Sequence, residues 1–113
     1  NQYQLDLIWQ AQTEPSNDYT VFVHLLQADG SCNPCLWQQD VMPQQNQYPT
    51  GRWLADEVVT DSYQIALPSN TPPGSYQLEI GLYIAETGRR LQVVQPNGSE
   101  SDAVFLESII IEN

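Results

Sequence analysis

The segment PPGSYQLEIGLY, residues 72–83, is the clearest indication of the fold class of this chain. A Pro-Pro-Gly turn signal leads directly into strict alternation of apolar and other residues, which is typical of a β-strand with one buried face. Side chains alternate across a pleated strand, so one face of the predicted strand carries Tyr76, Leu78, Ile80 and Leu82. The opposite face carries Gln77, Glu79 and Gly81 and is predicted to meet solvent.

The same alternation recurs along the rest of the chain. Residues 3–11 are apolar at odd positions, which predicts a half-buried strand, and residues 19–26 are apolar on both faces, which predicts a central strand. Further strands are predicted at 36–41, 57–67, 89–94 and 103–111. No segment has a sustained helical stripe. Seven to eight short strands joined by turns predict one domain, residues 1–113, folded as an antiparallel β-sandwich of immunoglobulin-like or jelly-roll-like type.

The charge of the chain excludes one class of partner. Its 113 residues include 14 acidic residues against three cations, Arg52, Arg89 and Arg90, and the formal net charge is -11. A chain of this charge is repelled by phosphate backbones and by anionic lipid, so we expect no nucleic-acid partner. No apolar run approaches the ~18 residues that a membrane helix needs, so we expect no membrane contact by this segment itself.

The two cysteines form the motif Cys32-Asn33-Pro34-Cys35. A redox pair of the thioredoxin type needs a helix after it, but the flanking residues are strand-like. Half of a zinc site needs further ligands, and His24 is the only histidine in the chain. The motif therefore favours a small structural disulfide, Cys32–Cys35, which contributes only about 2 kcal/mol because the loop is short. Such a disulfide indicates an oxidising compartment.

No constellation of catalytic side chains is visible in the sequence. His24 lies in the most apolar predicted strand, where a histidine satisfied by a buried hydrogen bond is more common than a general base. Asp56 and Glu57 are adjacent, so within a strand they would point to opposite faces. Four aspartates could supply calcium ligands, but their spacing does not match an EF-hand loop: Asp29, Asp40, Asp56 and Asp61. The sequence therefore predicts a domain that is not an enzyme and that has no cofactor or metal.

The longest irregular stretch, residues 42–56, is the first place to look for a binding site. Long ordered loops often carry function, and exposed aromatic faces could stack on sugar rings while Gln and Asn side chains donate hydrogen bonds. The predicted ligand-binding residues are Trp37, Tyr48, Arg52 and Trp53. The alternative is that the aromatic residues fill the core or close the ends of the sandwich, because large aromatic residues are ordinary core residues.

The order and spacing of five segments also carry a resemblance to a known family. The segments are residues 18–26, 48–53, 58–63, 72–83 and 87–91. Through them the chain resembles the soluble β-sandwich domain at the C-terminal end of bacterial multi-spanning membrane proteins similar to family 39 glycosyltransferases. The likeness covers most of the chain, and the loop of Cys32 and Cys35 departs from it.

The resemblance implies where the domain lies and which protein it is part of, but it implies no catalytic activity. The β-sandwich of that family has no catalytic residues that could be assigned to positions of this sequence. The membrane part of such a protein would carry the glycosyl transfer. This domain would lie outside the cytoplasm, in the periplasm or at the cell surface, as a non-catalytic accessory that positions a glycan, an acceptor or a protein partner. Because the sequence begins at Asn1 rather than Met, we expect it to be a piece of a longer, membrane-anchored protein.

Two other functions are compatible with the sequence. The first is a free-standing carbohydrate-binding or adhesive module, which would be distinguished by exposed coplanar aromatic residues. The second is an enzyme, which would require His24 to be exposed beside a carboxylate.

Overall fold

The computed structural model describes residues 2–95 and 97–112. Within these residues the chain forms eight β-strands, one 3-10 turn at Thr50–Arg52 and no α-helix. The strands are β1 (Gln2–Gln10), β2 (Thr20–Leu25), β3 (Trp37–Val41), β4 (Val58–Ala66), β5 (Gly74–Tyr83), β6 (Val93–Val94), β7 (Glu100–Ser101) and β8 (Val104–Ile111). The described part of the chain thus contains no helix that could cross a membrane.

The strands pair into three antiparallel sheets. β1 pairs with β4, the order β3-β2-β5-β8 forms a four-stranded sheet, and β6 pairs with β7. Apolar side chains of β1 and β4 join those of β2 and β5 in one core cluster, so the two larger sheets face each other. The fold is therefore an all-β antiparallel sandwich, and this prediction from the strand pattern is confirmed.

The buried faces follow from the alternation in the sequence. In β5 the predicted core face is at most 6% exposed at every position: Tyr76, Leu78, Ile80 and Leu82. In β1 the even residues are exposed, and the half-buried residues packed on the core are Tyr3, Leu5, Leu7 and Trp9. Fully burying one Leu or Ile side chain is worth about 1.5–3 kcal/mol, so these faces supply the main favourable energy between the sheets.

β2 is the central strand that the sequence predicted, since β3 and β5 flank it. Its odd residues point into the core, while Phe22 and His24 lie on the outer face of the four-stranded sheet. Phe22 is nevertheless only 1% exposed. The Arg90 guanidinium lies 4.3 Å from the centroid of its ring, and its partner on β5 is Gly81, which leaves room for the ring.

Gly81→Ala is expected to lower the free energy of unfolding by about 1–3 kcal/mol, because overpacking strains a close-packed site. A Cβ at this position would collide with the Phe22 ring and would lie 3.1 Å from the carbonyl oxygen of Asp102. Urea denaturation measures the change. In a Phe22→Leu background the smaller side chain leaves space, so the same substitution should cost clearly less. An equal cost in both backgrounds would contradict the steric explanation.

The hairpin predicted for residues 89–94 is correct at its start and wrong at its end. Tyr83 and Arg90 form an isolated bridge, and the Leu91 N–H donates to the Leu82 carbonyl at 2.8 Å. The pairing stops there because β8 already occupies this edge of β5 as far as Ile80. The chain then turns away, and β6 pairs with β7 instead.

Candidate functional site

Trp53, one of the predicted ligand-binding residues, lies inside the loop between β3 and β4. It is 5% exposed, and its indole Nε1–H donates to the Tyr48 carbonyl at 3.0 Å. The centroid of the Tyr48 ring is 6.5 Å from that of Trp53. The Tyr48 hydroxyl donates to Glu57 Oε1 at 2.8 Å, and this hydrogen bond raises the pKa of Tyr48. Trp53 therefore presents no open, flat face to solvent.

The other predicted ligand-binding residues are arranged differently. Arg52 is exposed at the end of the 3-10 turn, and its carbonyl accepts a hydrogen bond from the Tyr48 hydroxyl at 3.4 Å. Trp37 begins β3 opposite Leu25 and is half-buried against the core. The structure thus brings Tyr48, Arg52 and Trp53 into one loop and places Trp37 on a different element. Their roles in binding a ligand stay predictions.

A groove of about 450 Å³ opens beside Trp53. Its walls come from the end of β1, the residues that follow β1, the turn at Thr50 and residues 91–94. Its lining includes three aromatic residues, three glutamines and one exposed leucine: Trp9, Tyr19, Trp53, Gln10, Gln12, Gln92 and Leu91. Aromatic and amide groups therefore meet in one concave site, which is the combination that a polar ring compound requires.

The buried Thr50 side chain ties two walls of the groove together. Its Oγ1 accepts a hydrogen bond from the Tyr19 N–H at 2.9 Å and donates to the Asn17 carbonyl at 2.6 Å. The Gly51 N–H donates to Asp18 Oδ1 at 3.0 Å. These bonds hold residues 17–19, which carry Tyr19 into the groove, against the turn that carries Trp53. The loops that form these two walls of the groove are therefore fixed to each other by hydrogen bonds.

Trp9 is held in the groove by a buried carboxylate. Its Nε1–H points at Asp61 Oδ2 at 3.4 Å, and the Tyr63 hydroxyl donates to the same oxygen at 2.6 Å. Asp61 is 0% exposed. Its other oxygen accepts from the Gln44 N–H at 2.7 Å. Burial and the nearby Asp61 carboxylate raise the pKa of Tyr63, so this phenol remains a proton donor.

The backbone that carries Gln44 is irregular after β3. Gln44, Gln45 and Asn46 have φ of 54°, 54° and 70°, so three successive residues are in the left-handed region. Such backbone is costly for residues other than glycine. The hydrogen bond from Gln44 to Asp61 and the Met42 N–H donated to Asn46 Oδ1 at 3.1 Å hold it in place. Asp61 is thus an internal acceptor and not a calcium ligand at the surface.

A second cavity of about 320 Å³ adjoins the groove and shares Tyr19, Leu91 and Gln92 with it. It adds Arg89 and Arg90, two of the three cations of the chain, to the lining. An acidic protein therefore places cationic side chains next to its groove.

The outer face of the four-stranded sheet carries a separate polar cluster around His24. Its Nε2 lies 3.3 Å from Asp40 Oδ1, and its Nδ1 lies 3.5 Å from Glu79 Oε1. The Tyr83 hydroxyl donates to the other oxygen of Asp40 at 2.9 Å. Burial, together with Asp40, raises the pKa of Tyr83. His24 thus stands beside two carboxylates, as a catalytic role would require. Its side chain is only 13% exposed, however, so it is largely covered.

The cysteine loop lies over this cluster. Cys32 and Cys35 are joined as a disulfide, and Cys32 Sγ lies 3.9 Å from His24 Nδ1. His24 and the two cysteines are candidate ligands from the sequence alone, whereas the position of Glu79 beside them follows only from the fold. The available signal is parity: His24 and Glu79 both lie on the polar face of their strands, and the register pairs them directly.

Comparison with known proteins finds no family model, no curated protein and no solved structure that matches this chain.

Proposed function

We propose that this chain is a non-catalytic recognition domain that binds a glycan in the groove beside Trp53. The observation that carries the proposal is the meeting of the half-buried Trp9 and Tyr19 with Gln12 and Gln92, beside the largely buried Trp53, in one concave site of about 450 Å³. Sugar rings offer apolar C–H faces and many hydroxyls. Aromatic carbon surface contacts the former, and amide side chains can both donate and accept hydrogen bonds with the latter.

The hydrogen bonds of the two indoles support this proposal. Trp9 and Trp53 direct their N–H groups to Asp61 and to the Tyr48 carbonyl, so their orientation is set by the protein before any ligand arrives. Preorganised side chains lose little conformational entropy on binding. A groove of this type favours weak to moderate recognition of a segment of a longer polysaccharide.

Arg89 and Arg90 indicate which glycans to test first. They line the cavity that adjoins the groove, in a chain whose formal net charge is -11. A carboxylate on a sugar ring could pair with Arg89, which is exposed. We therefore include oligosaccharides that contain uronic acids beside neutral hexose and N-acetylhexosamine oligosaccharides.

We further propose that the domain acts outside the cytoplasm, as the accessory part of a membrane-anchored protein similar to a glycosyltransferase. The disulfide of Cys32 and Cys35 supports an oxidising compartment. The resemblance of the five sequence segments to that family supports a parent protein with a membrane part. In that role the domain would hold a glycan or acceptor near the membrane part, where the transfer takes place.

Titration of ¹⁵N-labelled protein with these oligosaccharides tests the groove directly, because the chain contains three tryptophans whose indole N–H signals can be followed separately. We expect the signals of Trp9 and Trp53 to shift and that of Trp37, which lies outside the groove, to stay in place. A shift of Trp37 alone, or no shift at millimolar concentrations of any oligosaccharide, would contradict the proposal.

A double variant, Gln12→Ala with Gln92→Ala, should weaken the binding about tenfold, since each hydrogen bond to a ligand is worth about 0.5–1.5 kcal/mol. Both side chains are exposed, so the stability of the fold should be unchanged. Gln64→Ala is the matched control, because Gln64 is an exposed glutamine on the outer face of β4 and should leave the affinity as it is.

A further inference from the structure

We propose that the reduced form of this protein holds a divalent transition metal, of which Zn²⁺ is the best fit, between Cys32, Cys35, His24 and Glu79. The side chains of the first three place a ligand atom each within 4.8 Å of one another. Glu79 Oε1 lies 3.5 Å from His24 Nδ1 and completes a set of two sulfurs, one nitrogen and one oxygen. The site shares no residue with the groove.

The distances already resemble the edges of a tetrahedron. With Zn–N of about 2.0–2.1 Å and Zn–S of about 2.3 Å, tetrahedral geometry separates a nitrogen and a sulfur ligand by about 3.5 Å. Cys32 Sγ lies 3.9 Å from His24 Nδ1 in the structure. The same geometry separates nitrogen and oxygen ligands by about 3.3 Å, against 3.5 Å between His24 and Glu79. Small side-chain adjustments therefore bring three ligands around one point.

The surroundings of His24 match those of a metal-binding histidine. The imidazole of such a residue donates its second ring N–H to a carboxylate, which fixes the ring and its tautomer. Asp40 occupies this position, 3.3 Å from Nε2, and leaves Nδ1 directed at Cys32 and Glu79. Asp40 is itself held by the Tyr83 hydroxyl at 2.9 Å.

Charge compensation comes from Arg90. Two thiolates, one carboxylate and a divalent ion leave one net negative charge at the site. The Arg90 guanidinium lies 3.8 Å from Glu79 Oε2, the oxygen that does not face His24. Arg90 is positioned by the Phe22 ring at 4.3 Å and by Asp102 at 3.9 Å. The two oxygens of Glu79 are thus divided between a cation and the metal position.

Binding requires that the disulfide be opened first, because thiolates are the ligands. A dithiol reductant transfers two electrons and two protons to the Cys32–Cys35 bond, which yields two thiols and the oxidised, disulfide form of the reductant. Metal binding then releases the two thiol protons. The oxidised and reduced forms of the protein therefore differ in their capacity for metal, so the site reports the redox state of its surroundings.

Titration with Co²⁺ under anaerobic conditions tests the site, because tetrahedral cobalt thiolates absorb strongly in the visible and near-ultraviolet. The protein is reduced with a dithiol, freed of reductant and titrated; Zn²⁺ is then added to displace the cobalt. We expect the reduced protein to give the tetrahedral thiolate spectrum at one equivalent, and the oxidised protein to give none. Equal binding by both forms would overturn the proposal.

Variants separate a built site from binding by the cysteines alone. His24→Gln and Glu79→Gln should each weaken the affinity more than 100-fold, whereas Asp40→Asn, which acts through His24, should weaken it about 10–100-fold. Asp6→Asn is the control, because this exposed carboxylate on β1 accepts hydrogen bonds from Gln4 and Ser62 and contacts neither the proposed ligands nor Arg90. If reduction unfolded the chain and the thiolates bound metal by themselves, His24→Gln and Glu79→Gln would leave the affinity unchanged, and that result would also overturn the proposal.

Discussion

Replacement of Asp61 by alanine is expected to lower the free energy of unfolding by about 3–4 kcal/mol, because each buried donor left without an acceptor costs about 1–3 kcal/mol. Three donors would lose their acceptor: the Gln44 N–H, the Tyr63 hydroxyl and the Trp9 indole N–H. Asp61 is 0% exposed, so water cannot replace the carboxylate without rearrangement. In a domain of this size the melting temperature should fall by roughly 15 °C.

Asp6→Ala is the matched control for this experiment. Asp6 also lies in a strand and accepts hydrogen bonds from Ser62 at 2.7 Å and from Gln4 at 3.0 Å, but it is exposed. These bonds lower the pKa of Asp6, yet solvent replaces them when the side chain is removed. We therefore expect the stability to stay nearly unchanged, as for other surface substitutions. Similar losses in Asp61→Ala and Asp6→Ala, measured by thermal and urea denaturation, would show that burial of Asp61 is not the cause.

The second large effect is expected for Trp53→Ala, at about 3–5 kcal/mol of unfolding free energy. Trp53 is 5% exposed, contacts the Tyr48 ring and donates its N–H to the Tyr48 carbonyl. The substitution would leave a cavity large enough for an indole and would remove the hydrogen bond that closes the loop. The groove should lose its wall as well, so this variant does not measure ligand affinity by itself.

Arg52→Ala provides the comparison at the neighbouring position. Arg52 is exposed, and only its carbonyl is used by Tyr48, so the substitution should change the stability by less than about 0.5 kcal/mol. If Trp53→Ala changed the stability as little as Arg52→Ala, Trp53 would be a surface residue. It could then stack directly on a sugar ring, as the sequence predicts for an exposed aromatic side chain.

The sandwich could be predicted from the sequence because strand alternation is a local property. The core face of β5, the half-buried β1 and the central position of β2 each follow from the parity of apolar residues within a few positions. The end of the hairpin after Arg90 could not be predicted in this way. It depends on β8 reaching Ile80 on the same edge of β5, and β8 is distant in sequence.

The candidate site shows the same division. The irregular stretch predicts Trp53 as a candidate, whereas Trp9 and Tyr19 have the pattern of ordinary strand residues. Their position in the groove follows only from the tertiary structure, in which the end of β1 and residue 19 lie beside the turn at Thr50. Asp61 is a charged residue at a position of β4 whose neighbours of the same parity are apolar. It proved to be a buried acceptor because the loop after β3 turns a backbone N–H toward it.

By itself, the sequence determined the class of the fold, the faces of its main strands and the net charge of the chain, because these follow from local periodicity and composition. Only the tertiary structure decided that Trp53 is covered and that His24, Cys32 and Glu79 share one face. Burial and ligand geometry depend on which strands become neighbours and in which register. The pairing and register of the strands depend on the packing free energy of the whole core, which no short segment of the chain determines.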